Sequence, residues 1–162
     1  MKWLVTLIVI AGLLLAGCPP PPETTATETP TITPPPELYD KTWVSPGKVE
    51  VGDFYPGARA EYMISLHNGN DETAEFSLSY RVSDNTTDGY EPAPVTAEGW
   101  VIIAEPSPVL AAKETKDILI AVEMPGDAEA PPKWEFWIVA KDVTQTGMVQ
   151  TELACRWLVA MK

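Results

Sequence analysis

Asp84, Thr86 and Asp88 stand at alternate positions in DNTTDG, and Gly89 closes the hexad. Alternating oxygen ligands followed by a glycine that permits a sharp turn are how a loop wraps a hard cation such as calcium. The pattern then departs. Val95 stands where such a loop needs its bidentate glutamate, threonine is a weak ligand, and Pro92 and Pro94 stiffen the segment. The three residues are the candidate metal ligands, and a plain polar loop between strands is the favoured alternative. His67, the only histidine, lies on the outward face of an alternating run beside a turn, so a solvated loop-edge ring is expected. A nucleophile–histidine pair would have to be built on it from residues distant in sequence. Cys155 sits inside an apolar-alternating run, which suits a buried, inert thiol. No CxxC pair, HExxH helix or phosphate-cradling glycine loop occurs, and the residues point to a protein that is not an enzyme.

Tryptophan supplies the other possible chemistry. Trp134 and Trp137 are three apart on one expected strand and so point to opposite faces. With Trp134, Phe136, Ile138 and Ala140 facing a core, Trp137 and Val139 face outward between Glu135 and Lys141. An outward tryptophan beside a β-branched residue marks a contact surface, with the two charges at its rim. Its partner is another envelope protein or, alternatively, a glycan stacked on exposed aromatics with calcium as an accessory.

Lys2 precedes an uncharged run from Trp3 to Ala16, which is shorter than the roughly 20 residues a membrane-spanning helix needs. A basic start, a short apolar stretch and small residues at its end suit a secretory signal over residues 1–17. Leu15-Ala16-Gly17-Cys18 resembles the lipobox of bacterial lipoproteins. That resemblance implies cleavage before Cys18 and a diacylglycerol thioether on its sulfur, placing the protein outside the cytoplasm on a bacterial-type membrane. Acyl chains in pairs or more hold a protein on a bilayer stably.

Residues 18–37 carry 8 of the 17 prolines and six threonines, with Ile32 as their one large apolar residue. Proline excludes both helix and sheet, so a disordered, semi-rigid Pro/Thr-rich linker is expected. Residues 38–162 suit one domain. The formal net charge of -12 leaves no electrostatic footprint for nucleic acid.

Within that domain, period-two alternation dominates. Ala58, Ala60, Tyr62, Ile64 and Leu66 share one face, and after HNGND so do Ala74, Phe76, Leu78, Tyr80 and Val82. Two such runs joined by a turn predict a hairpin over residues 58–82. Further strands are expected at Trp100–Ala104, Val109-Leu110, Ile118–Met124, Trp134–Lys141 and Val149–Val159, the last two forming a second hairpin. WVSPGKVEVGDFYPGARAEYMISLHNGN followed by VLAAKETKDILIAVEMP resembles immunoglobulin-like modules of prokaryotic surface proteins, although Pro132-Lys133 replaces a glycine common there. The reading is an all-β, immunoglobulin-like two-sheet β-sandwich that acts as a non-enzymatic protein-interaction or envelope-structural module.

Overall fold

Alternating sequences become strands that each bury one face. In the computed structural model, which describes residues 38–82, 85–145 and 152–162, ten strands form among the described residues. They are β1 (Trp43–Ser45), β2 (Lys48–Phe54), β3 (Arg59–His67), β4 (Ala74–Arg81), β5 (Glu91–Pro92), β6 (Val101–Ile103), β7 (Val109–Leu110), β8 (Thr115–Glu123), β9 (Lys133–Asp142) and β10 (Glu152–Met161). A 3₁₀ segment, Val95–Trp100, precedes β6. The signal, Cys18, the linker and Asp84 lie outside the described residues.

The strands make two sheets. The first runs β1-β3-β8-β6; the second runs β2-β10-β9-β4-β7, with β5 alongside β9. This is the expected all-β immunoglobulin-like sandwich. The chain changes sheets repeatedly over short distances. Ser45, Pro46 and Gly47 carry it from β1 in the first sheet to β2 in the second, and it passes again from β6 to β7. The inner faces meet around an aromatic stack. Trp134 lies on Phe136 at 5.8 Å, Phe136 on Trp157 at 5.5 Å, and Trp100 meets Trp134 edge-on at 6.0 Å. Trp134, Phe136, Ile138 and Ala140 all face this core, as the period predicts.

The expected second hairpin is present, with β9 and β10 antiparallel from Glu152↔Lys141 to Ala160↔Lys133. The hairpin over residues 58–82 is not. β3 pairs with β1 and β8, whereas β4 pairs with β9 and β7, so HNGND carries the chain from one sheet to the other. The two runs bury their apolar faces toward each other across the core, and period two cannot tell that arrangement from lateral pairing. The crossing is fixed by Asn68, which is fully buried and whose Nδ2 donates to the carbonyls of Glu72, Leu110 and Ala111.

His67 also departs from expectation. Its ring is 0 % exposed, with Nδ1 2.9 Å from Thr115 Oγ1 and Nε2 2.9 Å from the Tyr39 carbonyl. Trp43 in β1 stacks on it at 5.2 Å. The imidazole does face outward from the first sheet, but the Trp43 ring on neighbouring β1 and the Tyr39 segment cover it and take it out of water. Nearby, Gly69 approaches the chain so closely that a Cβ there would lie 2.2 Å from the Lys41 carbonyl carbon. Cys155 is buried, and that burial pushes its thiol up to about 12, with the adjacent Trp157 indole acting weakly in the opposite direction. A thiol that stays protonated and covered is not a nucleophile.

Candidate functional site

The outer face of the second sheet is built by the alternation of β9. Lys133, Glu135, Trp137, Val139 and Lys141 project away from the core. Register then decides their neighbours. Arg81 on β4, Trp137 on β9, Arg156 on β10 and Lys48 on β2 form one continuous row across four strands. Beside it, Ser79, Val139 and Ala154 form a row of smaller side chains.

Trp137 is half-buried, and the Arg156 guanidinium lies 5.0 Å from its ring centroid. A cation over an indole face is attracted by the ring quadrupole. The indole N–H donates to Glu135 Oε1 at 3.3 Å, which holds the ring at its other side. Next to Trp137 lies a shallow cavity of about 200 Å³ lined by Gly47, Lys48, Trp137, Ala154 and Arg156.

Two of the expected contact residues are buried rather than open: Glu135, expected at the rim, and Val139, expected beside Trp137 on the open surface. Glu135 is 0 % exposed and Val139 is 2 % exposed. Val139 is buried between Ser79 and Ala154, its partners in register on β4 and β10. Glu135 is covered by the chain after β4. Its Oε2 accepts from the Thr87 amide at 2.7 Å, its carbonyl accepts from the Ala93 amide at 2.9 Å, and Pro92 pairs beside it. Arg156 Nη1 donates to Thr87 Oγ1 at 3.1 Å, and its Nε lies 4.0 Å from Glu135 Oε1. The Glu135 carboxylate is therefore a latch under a strap of chain. Lys141 is half-buried and remains on the outward face, in register with Ser77 and Glu152.

Burial by itself would raise the Glu135 pKa. The Thr87 hydrogen bonds, the Trp137 N–H and the Arg156 charge outweigh it and hold the group below its usual 4.5. A depressed folded value stabilises the fold at pH above the unfolded pKa, and that contribution is lost as pH falls through the folded one. Acidification below about pH 4.5 is therefore expected to weaken the domain and to speed amide exchange at Thr87. In Glu135→Gln that part of the acid sensitivity should disappear; an unchanged acid limb would show that other carboxylates set it.

The calcium-like loop forms part of the same strap. Thr86 is half-buried and Asp88 is exposed, Gly89 has a φ of 79°, and the Thr87 amide is committed to Glu135. Among the described residues no group of three or more His, Cys, Asp or Glu is arranged to hold a metal ion. A larger cavity, about 730 Å³, opens at one end of the sandwich near Asp40, Asp71, Asp142 and Lys113. The Lys113 ammonium is saturated there, by Asp40 at 2.8 Å, Asp71 at 3.0 Å and the Gly69 carbonyl at 2.6 Å. It has no donor left for a ligand.

Sequence reasoning located Trp137 but missed Arg156, Thr87, Lys48 and Gly47. Counting register back from DVTQTG would put residue 152 or 153 opposite Trp137, whereas the structure pairs Trp137 with Arg156. Nothing local points to Thr87 or Gly47, which arrive from other parts of the chain.

No protein-family model matches the chain, and no curated protein matches it in sequence. Solved structures do match in fold. The ASH/PapD-like domain of human CEP192 (PapD-like domain 7) superposes with a TM-score of 0.56 at 13% identity, covering 88% of this chain and 98% of that one. The E. coli chaperone DraB gives 0.51 at 16% identity, over 74% of this chain and 55% of its own. The CsuC-CsuE chaperone-tip adhesion subunit pre-assembly complex of Acinetobacter baumannii gives 0.51 at 10% identity, over 75% and 57%. This chain thus spans little more than half the length of the chaperone chains. At such identities the likeness concerns the fold, a PapD-like immunoglobulin sandwich.

Proposed function

We propose that this chain is a lipid-anchored, extracytoplasmic, non-enzymatic module that binds another protein of the cell envelope through the outer face of its second sheet. One observation carries the reading. Trp137 is held rigidly between Arg156 and Glu135 and stays partly open beside a cavity, which is how an anchoring aromatic is presented at an interface. A protein partner is favoured over a glycan because the Arg156 guanidinium already occupies a face of the indole on which a sugar ring would stack. The capture of an adhesion subunit by one chaperone of similar fold supports the same choice.

The anchor rests on Leu15 to Cys18, with residues 1–17 as the signal that is removed. Twenty linker residues, 18–37, give a reach of roughly 60 Å at about 3.1 Å each, enough to lift residues 38–162 clear of headgroups. The test is crosslinking in membranes from cells expressing the full chain, fed a labelled fatty acid. Wild type is expected to carry label and a reproducible crosslinked partner, while Cys18→Ala carries no label. Trp137→Ala should keep the label and the fold but weaken the partner by about 2 kcal/mol. Undiminished crosslinking in Trp137→Ala would remove this face from consideration, and unlabelled wild type would remove the anchor.

A further inference from the structure

Five of the 11 lysines and arginines lie on the outer face of the second sheet: Lys48, Arg81, Lys133, Lys141 and Arg156. Glu50, Glu75, Glu135 and Glu152 project from the same face, so five cations stand against four carboxylates there, on a chain of net charge -12. Two of the five, Lys48 and Arg156, are in register on neighbouring strands and stand at the wall of the cavity beside Trp137.

The cavity has a small-residue floor and large walls. Gly47 and Ala154 form the floor; Trp137, Lys48 and Arg156 rise around it. The space over Gly47 is open, since a Cβ built there meets no atom within 4 Å. The present partners of the two cations are exposed, remote or limited to one atom: Arg156 Nη1 donates to Thr87 Oγ1 at 3.1 Å. Lys48 bonds Glu50 at 2.6 Å with both side chains more than half exposed, and such a surface pair contributes little. Arg156 is 4.0 Å from Glu135, whose oxygens are already engaged by Thr87 and Trp137. The Arg156 side chain is 38% exposed, so its fork remains approachable from solvent.

Resting on the reading of this face as the partner surface, we infer that the Gly47–Ala154 floor is a socket for one acidic side chain, a glutamate or aspartate, in an exposed segment of the partner protein. The methylene stem of that side chain lies over Gly47 and against the indole edge. Its carboxylate reaches Lys48 and the outer edge of the Arg156 guanidinium. Charge complementarity would then set which partner segment docks, and Trp137 would supply the apolar contact.

The test titrates capped tripeptides, Ala-Glu-Ala and Ala-Gln-Ala, into the isotope-labelled full chain and follows the Gly47 amide and the Trp137 indole N–H by NMR. The glutamate peptide is expected to give saturable shifts at both, and the glutamine peptide none. Lys48→Gln should weaken the response about fivefold, the upper end for one exposed ion pair. Gly47→Leu should abolish it by filling the socket while the rest of the spectrum stays in place. An equal response to both peptides, or an undiminished one in Gly47→Leu, overturns the inference. Absence of any shift overturns it too, and if Trp137→Ala still weakens envelope crosslinking, the partner surface stands without the socket.

Discussion

Replacing Asn68 by alanine is expected to remove about 3 kcal/mol of stability, a large share of what holds a domain of this size folded. The side chain is 0 % exposed, and its amide nitrogen donates to Glu72 O at 2.8 Å, Ala111 O at 2.9 Å and Leu110 O at 3.2 Å. Its Oδ1 accepts from the Asn70 amide at 3.1 Å. Alanine would leave these groups without their partner at a point where the chain crosses between sheets. A buried polar group left unpaired costs about 1–3 kcal/mol. Urea denaturation should show a lower midpoint with an unchanged slope, because the same surface is exposed on unfolding. A loss below about 1 kcal/mol would mean that water replaces the amide and that the crossing is held by other contacts.

Truncating Trp134 to alanine is expected to cost still more, about 4 kcal/mol, since it empties a fully buried site between Trp100 and Phe136. The phenylalanine variant separates packing from polarity. The Trp134 indole N–H is buried without a hydrogen-bond partner, so Trp134→Phe loses volume but also removes an unpaired donor. Its cost should be well under half that of the alanine variant. Equal losses for the two would show that the indole's extra ring, rather than the stack with Phe136, is the stabilising part. Both variants retain Trp137, so the expectation for partner binding is independent of them.

Much of this architecture is legible in the chain. Period two in TAEFSLSYRVS, KDILIAVEM and KWEFWIVAK assigns strands and says which side of each is buried, because a strand's side chains alternate by covalent geometry alone. The same rule places Trp134 inward and Trp137 outward, and the short DVTQTG connection pairs β9 with β10. These are local properties, decided by a residue and its near neighbours.

What only the tertiary structure decided is which faces meet and what covers them. ARAEYMISL and TAEFSLSYRV are equally good halves of a hairpin or opposing walls of a sandwich, and the choice falls to Asn68 bonding carbonyls of residues 110 and 111. His67 reads as a solvated loop-edge ring and Glu135 as a rim charge because their own strands place them outward. Their burial comes from Tyr39 and Trp43 in one case and from Thr87 and Ala93 in the other, segments tens of residues away. The cavity beside Trp137 needs Gly47 at the entry to β2, a strand that pairs in parallel with β10, the kind of long-range pairing no hairpin turn announces. Alternation specifies the side of a sheet, while exposure depends on whatever distant chain comes to lie on it.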